Sequence, residues 1–171
     1  MTVKIECIKG DIANQEDMMA IVNAANAQLK PGGGVAGAIH EEAGPELEEA
    51  CRSMAPIETG EAIITYAYDL PNEYVIHCLG PVYGVDEPGD ELLKKCYVNA
   101  LRIAEAHDVD SIAFPAISIG AFRFPVEQAT EIAINTVKEM ISELSVIKTI
   151  RFVLYSDKVL KVYESFFKKD E

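Results

Sequence analysis

Two segments of this chain join asparagines or aromatics to glycine-containing backbone in a way that suits a phosphorylated ligand. The first runs Ile21-Val22-Asn23-Ala24-Ala25-Asn26, passes through Ala27 to Pro31, and continues as Gly32-Gly33-Gly34-Val35-Ala36-Gly37-Ala38-Ile39-His40. A buried-looking strand ends in asparagines, and the successive glycines stand at the mouth of a helix. There they let the backbone approach a ligand closely, while the free N–H groups of the first helical turn favour a phosphate. The second segment, Phe114 to Pro125, again lies between a strand and a helix. Ser118, Ile119, Gly120, Ala121 and Phe122 offer consecutive N–H donors as an anion nest, and Phe122 is placed to pack against a sugar. Asp11, after Gly10 at the end of the first strand, can accept a hydrogen bond from an exocyclic amine. Tyr155, ending the last strand, can stack on a base.

Each of these residues also has a plainer role open to it. Asn23 and Asn26 can close their loop on its own backbone, Asp11 can cap a turn, Phe122 and Phe124 can belong to the core, and Tyr155 can be a half-buried strand end. Gly32, Gly34 and Gly37 have the GxGxxG spacing of a dinucleotide fold, which makes a nicotinamide-dependent oxidoreductase a competing reading. Such a fingerprint follows its strand directly, whereas Asn26 to Pro31 intervene here, and no acidic strand end appears about twenty positions later. No Lys-Ser or Lys-Thr pair follows the glycines, which argues against Walker-type phosphate transfer. His77 and Cys78 are neighbours in a strand, so their side chains point to opposite faces and form no dyad. Cys7, Cys51, Cys78 and Cys96 are not at zinc-ligand spacing from His40, His77 or His107, and no metal site is expected.

The elements that must position these residues read as α/β. Strands are predicted at Val3 to Ile8, Ala20 to Ala25, Ala62 to Tyr68, Tyr74 to Leu79, Ser111 to Ile117 and Thr149 to Tyr155. Helices are predicted at Val35 to Cys51, Asp90 to Ala106, Pro125 to Leu144 and Asp157 to Phe167. Two strands in succession before the middle helix imply a mixed sheet. The expected architecture is a three-layer α/β/α sandwich around about six strands.

A chain of 171 residues, 49% apolar, suits one domain over residues 1–171. Against 15 Lys and Arg stand 28 Asp and Glu, a net charge of −13. That balance argues against a duplex nucleic acid partner or an anionic membrane surface, so an anionic ligand must be caught by local backbone dipoles. No unbroken apolar run suggests a signal peptide or a membrane span, and scattered cysteines fit reduced thiols in the cytoplasm.

Several of these segments occur together in the order of one family. Gly10-Asp11-Ile12, Val22-Asn23-Ala24-Ala25-Asn26, Gly32 to His40, Gly60-Glu61-Ala62, His77-Cys78-Leu79-Gly80-Pro81 and Ala113-Phe114-Pro115-Ala116-Ile117-Ser118 make the chain resemble the macro domains, ADP-ribose-binding modules that include ADP-ribosyl-hydrolases. The resemblance spans Gly10 to about Tyr155. It implies that Asp11 holds the adenine amine beside Ile12, and that Tyr155 stacks on adenine. It further implies that Gly32, Gly33, Gly34 and Val35, with Ser118 to Phe122, wrap the diphosphate, and that Asn26, supported by Asn23, positions the distal ribose near Phe122. His40 matches a histidine of one hydrolase branch and joins Asn26 and Asn23 as a catalytic candidate, its alternative being a helix-surface residue.

The chain departs from the family in having Ala36 where many hydrolytic members have Asp, and Ile119 and Arg123 where Thr and Gly are more usual. The expected activity is hydrolysis of ADP-ribose esters, either mono-ADP-ribose on acidic side chains or O-acetyl-ADP-ribose, by water and without a cofactor. Its partners would be ADP-ribosylated proteins or metabolites. A non-catalytic ADP-ribose reader is the alternative, favoured by Ala36.

Overall fold

The second strand, β2 (Ala20–Ala24), shows why the chain folds as layers: Ile21 and Val22 are fully buried on opposite faces of the sheet. Burying each such side chain contributes about 1.5–3 kcal/mol, so β2 is stable only where helices cover both faces. The computed structural model describes residues 2–168. The expected domain limits, residues 1 and 171, lie outside them.

The strands β1 (Lys4–Lys9), β2, β3 (Ala62–Tyr66), β4 (Tyr74–Cys78), β5 (Ser111–Phe114) and β6 (Thr149–Leu154) form one six-stranded sheet in the order β1-β6-β5-β2-β4-β3. Only β3 runs antiparallel, paired with β4 at the edge. Helices α1 (Gly34–Ala43) and α2 (Pro45–Arg52) cover one face, with Ile39, Ala43, Leu47 and Cys51 packed beside Ile21, Val75 and Ala113. Helices α3 (Gly89–Ala106), α4 (Val126–Met140) and α5 (Asp157–Lys168) cover the other, around Tyr97, Phe114, Phe152 and Tyr163. This is the expected three-layer sandwich with a mixed sheet. No helix among the described residues is long and apolar enough to cross a membrane.

Element ends differ from the sequence reading for local reasons. The expected helix from Val35 to Cys51 is two helices, because Gly44 takes φ +85° and Pro45, which has no N–H to give, starts α2. Strand β5 stops at Phe114 because Pro115 cannot continue the hydrogen-bond ladder. Helix α4 ends at Met140 and tightens into a short 3₁₀ turn, Ile141–Glu143.

The five strands β1, β6, β5, β2 and β4 all run parallel, so the loops that follow them leave the sheet at one edge. Those loops contain Asp11, Tyr155, Ser118 to Phe122, and Asn26 to Gly33. The fold thereby gathers at one edge residues that are far apart in the chain.

Candidate functional site

The loop after β2 is closed by the Asn26 side chain on its own backbone. Asn26 Oδ1 accepts the Lys30 N–H at 3.0 Å and Asn26 Nδ2 donates to Lys30 O at 2.7 Å, so the carboxamide closes the loop as a ring. One lone pair and one amide hydrogen of this half-exposed side chain are left over. Buried Leu29, at φ +55°, anchors the turn from below, and the Ile57 N–H donates to Ala27 O at 2.9 Å.

Gly33 caps α1 in extended conformation without a side-chain hydrogen bond, and Gly34 starts the helix at φ +57°. A β-carbon on Gly33 or Gly34 would meet nothing within 4 Å, so no internal packing requires their small size. At Gly37 the requirement is internal, because a β-carbon would stand 2.2 Å from Gly32 O. The first turn of α1 has no acidic residue, whereas the other helices carry Glu46 and Glu48, Asp90 and Glu91, Glu127, or Asp157 there. In a chain of charge −13, the positive end of α1 is therefore, among the α-helices of the described residues, the one without an acidic side chain in its first turn.

The loop after β5 is curled by two backbone hydrogen bonds, Phe124 N–H to Ser118 O at 2.9 Å and Arg123 N–H to Gly120 O at 3.0 Å. Ser118 at φ +67° and Arg123 at φ +62° make the curl, and Tyr83 N–H ties it to the β4 side by donating to Phe122 O at 2.8 Å. Gly80 gives the curl its room: a β-carbon there would lie 2.2 Å from Ser118 Oγ and 2.6 Å from Ile117 Cγ2. Among the described residues, the N–H groups of Ile119, Ala121 and Phe122 donate to no backbone carbonyl that meets hydrogen-bond geometry. Phe124 is buried, with Tyr83 edge-on at 5.1 Å, whereas Phe122 is half-buried beside the α1 and α2 layer. The unusual Ile119 packs against the opposite core, and Arg123 is exposed.

At the β1 and β6 end, Asp11 is exposed and its Oδ1 accepts the Ala13 N–H at 2.9 Å. The turn-capping role is thus real, and it occupies only one carboxylate oxygen. Ile12 is buried next to it. Tyr155 is 90% exposed, so it is not the half-buried strand end that its position allowed.

Asn23 and His40 lie deeper than the loops. Asn23 is 1% exposed, and its Nδ2 donates to His77 Nδ1 at 3.1 Å. Because Nδ1 accepts, Nε2 carries the ring proton and donates to Thr65 Oγ1 at 3.0 Å, with Cys51 Sγ at 3.9 Å. Burial, reinforced by nearby His40, holds the His77 pKa at about 3, and burial, reinforced by Glu48, pushes the Cys51 thiol up to about 11. Both groups are neutral at working pH, so this pair is no activated nucleophile. His40 is buried on α1, not at the helix surface. Burial lowers its pKa against the opposing pull of Glu48, and neither ring nitrogen has a protein hydrogen-bond partner. His77 and Cys78 do face opposite ways, since Cys78 Sγ lies 3.7 Å from Cys96 O in the other layer. The Asn23–His77–Thr65 chain escaped the sequence reading; the signal for it is that polar residues stand on the covered face of adjacent buried strands.

The dinucleotide reading loses its footing here. The glycines open α1 only after a loop closed by Asn26, and Gly37 serves contact between that loop and its own helix.

Comparison with known proteins bears on the fold and the family. The Macro domain family model matches residues 22–133. A macro domain-containing protein of Chlorobaculum tepidum is 50% identical over 163 residues, which cover 95% of this chain and 94% of that protein. A Salmonella newport protein named O-acetyl-ADP-ribose deacetylase is 45% identical over 168 residues, covering 95% of this chain and 93% of its own. The Oceanobacillus iheyensis macrodomain solved with ADP superposes with a TM-score of 0.91 at 38% identity, covering 95% of this chain and 89% of that one. Matched by the family model over residues 22–133, half-identical to one such relative over 95% of its length and alike in fold to a solved one, the chain belongs to the macro domain family.

Proposed function

We propose that this protein binds ADP-ribose across the carboxyl edge of the sheet and hydrolyses an ester at its distal ribose. The observation that carries this reading is the pairing of an acid-free, side-chain-uncapped α1 N-terminus with the uncommitted amides of the loop after β5. Neutral N–H donors from two sides can hold a diphosphate in a protein whose overall field repels it. Exposed Tyr155 and Asp11 stand at the β1 and β6 end of that edge, ready for adenine, while Asn26 stands at the β2 end, ready for the distal ribose. The name of the Salmonella relative supports an ester of ADP-ribose as substrate.

Water is the nucleophile in this reading. The two loops offer no pair of carboxylates for ordinary acid and base roles, so the substrate's own phosphate helps orient water while Asn26 holds the ribose. In this reading Asn23, held by His77, supports the loop that follows it, and His40 is buried on the helix that the loop feeds. Substrates of this class are mono-ADP-ribose on acidic side chains and O-acetyl-ADP-ribose.

Ala36 favours a second reading, a reader that binds without cleaving. It is buried in the first turn of α1, where many hydrolytic relatives place Asp. Incubation with Glu-linked, Asp-linked and O-acetylated ADP-ribose separates the two, with release of ADP-ribose followed over time. The hydrolase is expected to release it, and Ala36→Asp is expected to raise turnover or leave it unchanged. Binding by both proteins without release from any of the three substrates leaves the reader.

A further inference from the structure

Behind the Asp11 turn runs a line of hydrogen bonds that ends on a half-buried guanidinium. Arg151, in β6 with its side chain 13% exposed, donates from Nε to Glu6 Oε1 at 3.0 Å and grips Asp17 through Nη1 and Nη2 at 2.8 Å each. The remaining Nη1 hydrogen goes to Gln15 Oε1 at 2.9 Å. Gln15 is buried, and its Nε2 donates to the Asp11 carbonyl at 2.9 Å. Asn72 Nδ2 holds the backbone of the same segment by donating to Gln15 O and Met18 O, both at 2.7 Å.

The chemistry allows only one orientation of the Gln15 amide. A guanidinium has only donors and a carbonyl only accepts, so Oε1 must face Arg151 and Nε2 must face Asp11. The flipped amide would place NH₂ against the guanidinium and oxygen against the carbonyl. Arg151 is itself immobilised by two carboxylates, so Gln15 reaches Asp11 from a fixed point. With its carbonyl held by Gln15 and Asn14 and its Oδ1 held by the Ala13 N–H, Asp11 has backbone and side chain both fixed. Its Oδ2 is left as the free acceptor.

We propose that Gln15, oriented by Arg151, is a positioning residue that aims the free carboxylate oxygen of Asp11, and that this relay sets selectivity for a base bearing an exocyclic amine over one bearing a carbonyl there. The proposal rests on the reading of Asp11 as the adenine contact. A carboxylate oxygen attracts an amine and repels a carbonyl, but only if it is held where the base edge arrives. A loosely held Asp11 turns away from a carbonyl and so discriminates poorly.

The test compares ADP-ribose with inosine diphosphate ribose by calorimetry. The wild-type protein is expected to prefer the adenine ligand by roughly tenfold or more, the scale of one charge-assisted hydrogen bond. Gln15→Met, similar in volume and without either hydrogen bond, should shrink that preference to about threefold or less while the protein still melts cooperatively. Should Gln15→Met fail to fold, Gln15→Glu carries the same expectation, since it can stay paired with Arg151 while it sets a carboxylate oxygen, which repels the Asp11 carbonyl, in place of the donor. In an Asp11→Ala background, the same change at position 15 should leave the preference where Asp11→Ala puts it. A preference unchanged by the variants, or equal weakening of both ligands in both backgrounds, overturns the positioning role. A wild-type protein that does not discriminate, or an Asp11→Ala variant that still does, overturns the assignment of Asp11 itself and the proposal with it.

Discussion

The carbonyl oxygen of Gly32 lies 2.2 Å from where a β-carbon on Gly37 would stand, so the loop after β2 and the helix it feeds can close on each other only without a side chain there. Gly37→Ala sets two effects against each other. Within a helix, alanine is favoured over glycine by about 0.8–1 kcal/mol. The contact with Gly32, a backbone atom, pushes the loop outward. The expected result is a melting temperature that changes little and an ADP-ribose affinity that falls about tenfold, or 1.4 kcal/mol, because the displaced amides are those proposed to hold the diphosphate. Calorimetry beside a thermal melt checks it; undiminished affinity would show that the loop's closure is not what binds.

Asn26→Ala is expected to lower turnover far more than ADP-ribose binding. In the proposed site binding is spread over base, diphosphate and sugar, so one neutral hydrogen bond costs about 0.5–1.5 kcal/mol. Misplacing the reacting group by about 1 Å costs around a hundredfold in rate. Because Asn26 also closes the loop through Lys30, Asn26→Asp, which keeps the acceptor for Lys30 N–H, should bind better than Asn26→Ala and remain slow. Equal losses in affinity and turnover in a steady-state assay would contradict a positioning role for this carboxamide.

Tyr155 makes almost no contact with its own protein, being 90% exposed, so its removal should leave stability unchanged. If it stacks on a base, Tyr155→Ala should weaken ADP-ribose by about 1–3 kcal/mol and Tyr155→Phe by little. A titration in which Tyr155→Ala binds like the parent protein would remove this residue from the site.

His77 gives the fold an acid-sensitive seam. Its pKa is held at about 3 by burial, below the ordinary 6.5, so between those values the unfolded chain takes up a proton that the folded one refuses. Stability contributed by the neutral ring is therefore complete above pH 6.5 and is lost as pH falls towards 3. At pH 5 the expected loss from this residue is about 2 kcal/mol relative to pH 7. His40, lowered in the same direction, adds to it. Urea unfolding at pH 7 and pH 5 should show that loss, and His77→Gln, though less stable at pH 7, should show a smaller one. An equal difference in the two proteins would mean that the ring is not the acid-sensitive group.

Much of this molecule is legible in order along the chain. The strand that carries Asn23, the helices around Tyr97 and Val137, and both glycine-containing loops announce themselves by local periodicity and by residues whose backbone needs are local. The Gly44-Pro45 break was equally present in the letters, but helical spacing continued across it and masked it. The gathering of Asp11, Asn26, Ser118 and Tyr155 at one edge follows only once the parallel strand order is known. Other relationships had no local signature at all. Gly80 is small because Ser118 curls against it, the Asn23 amide donates to His77 on a neighbouring strand, and Gln15 is oriented by an arginine 136 residues away. Hydrogen bonds and steric exclusion act over a few ångströms whatever the separation along the chain. Residue type alone could therefore offer His40, Asn23 and Tyr155 for chemistry, while packing decided that the first two are buried and the third faces solvent.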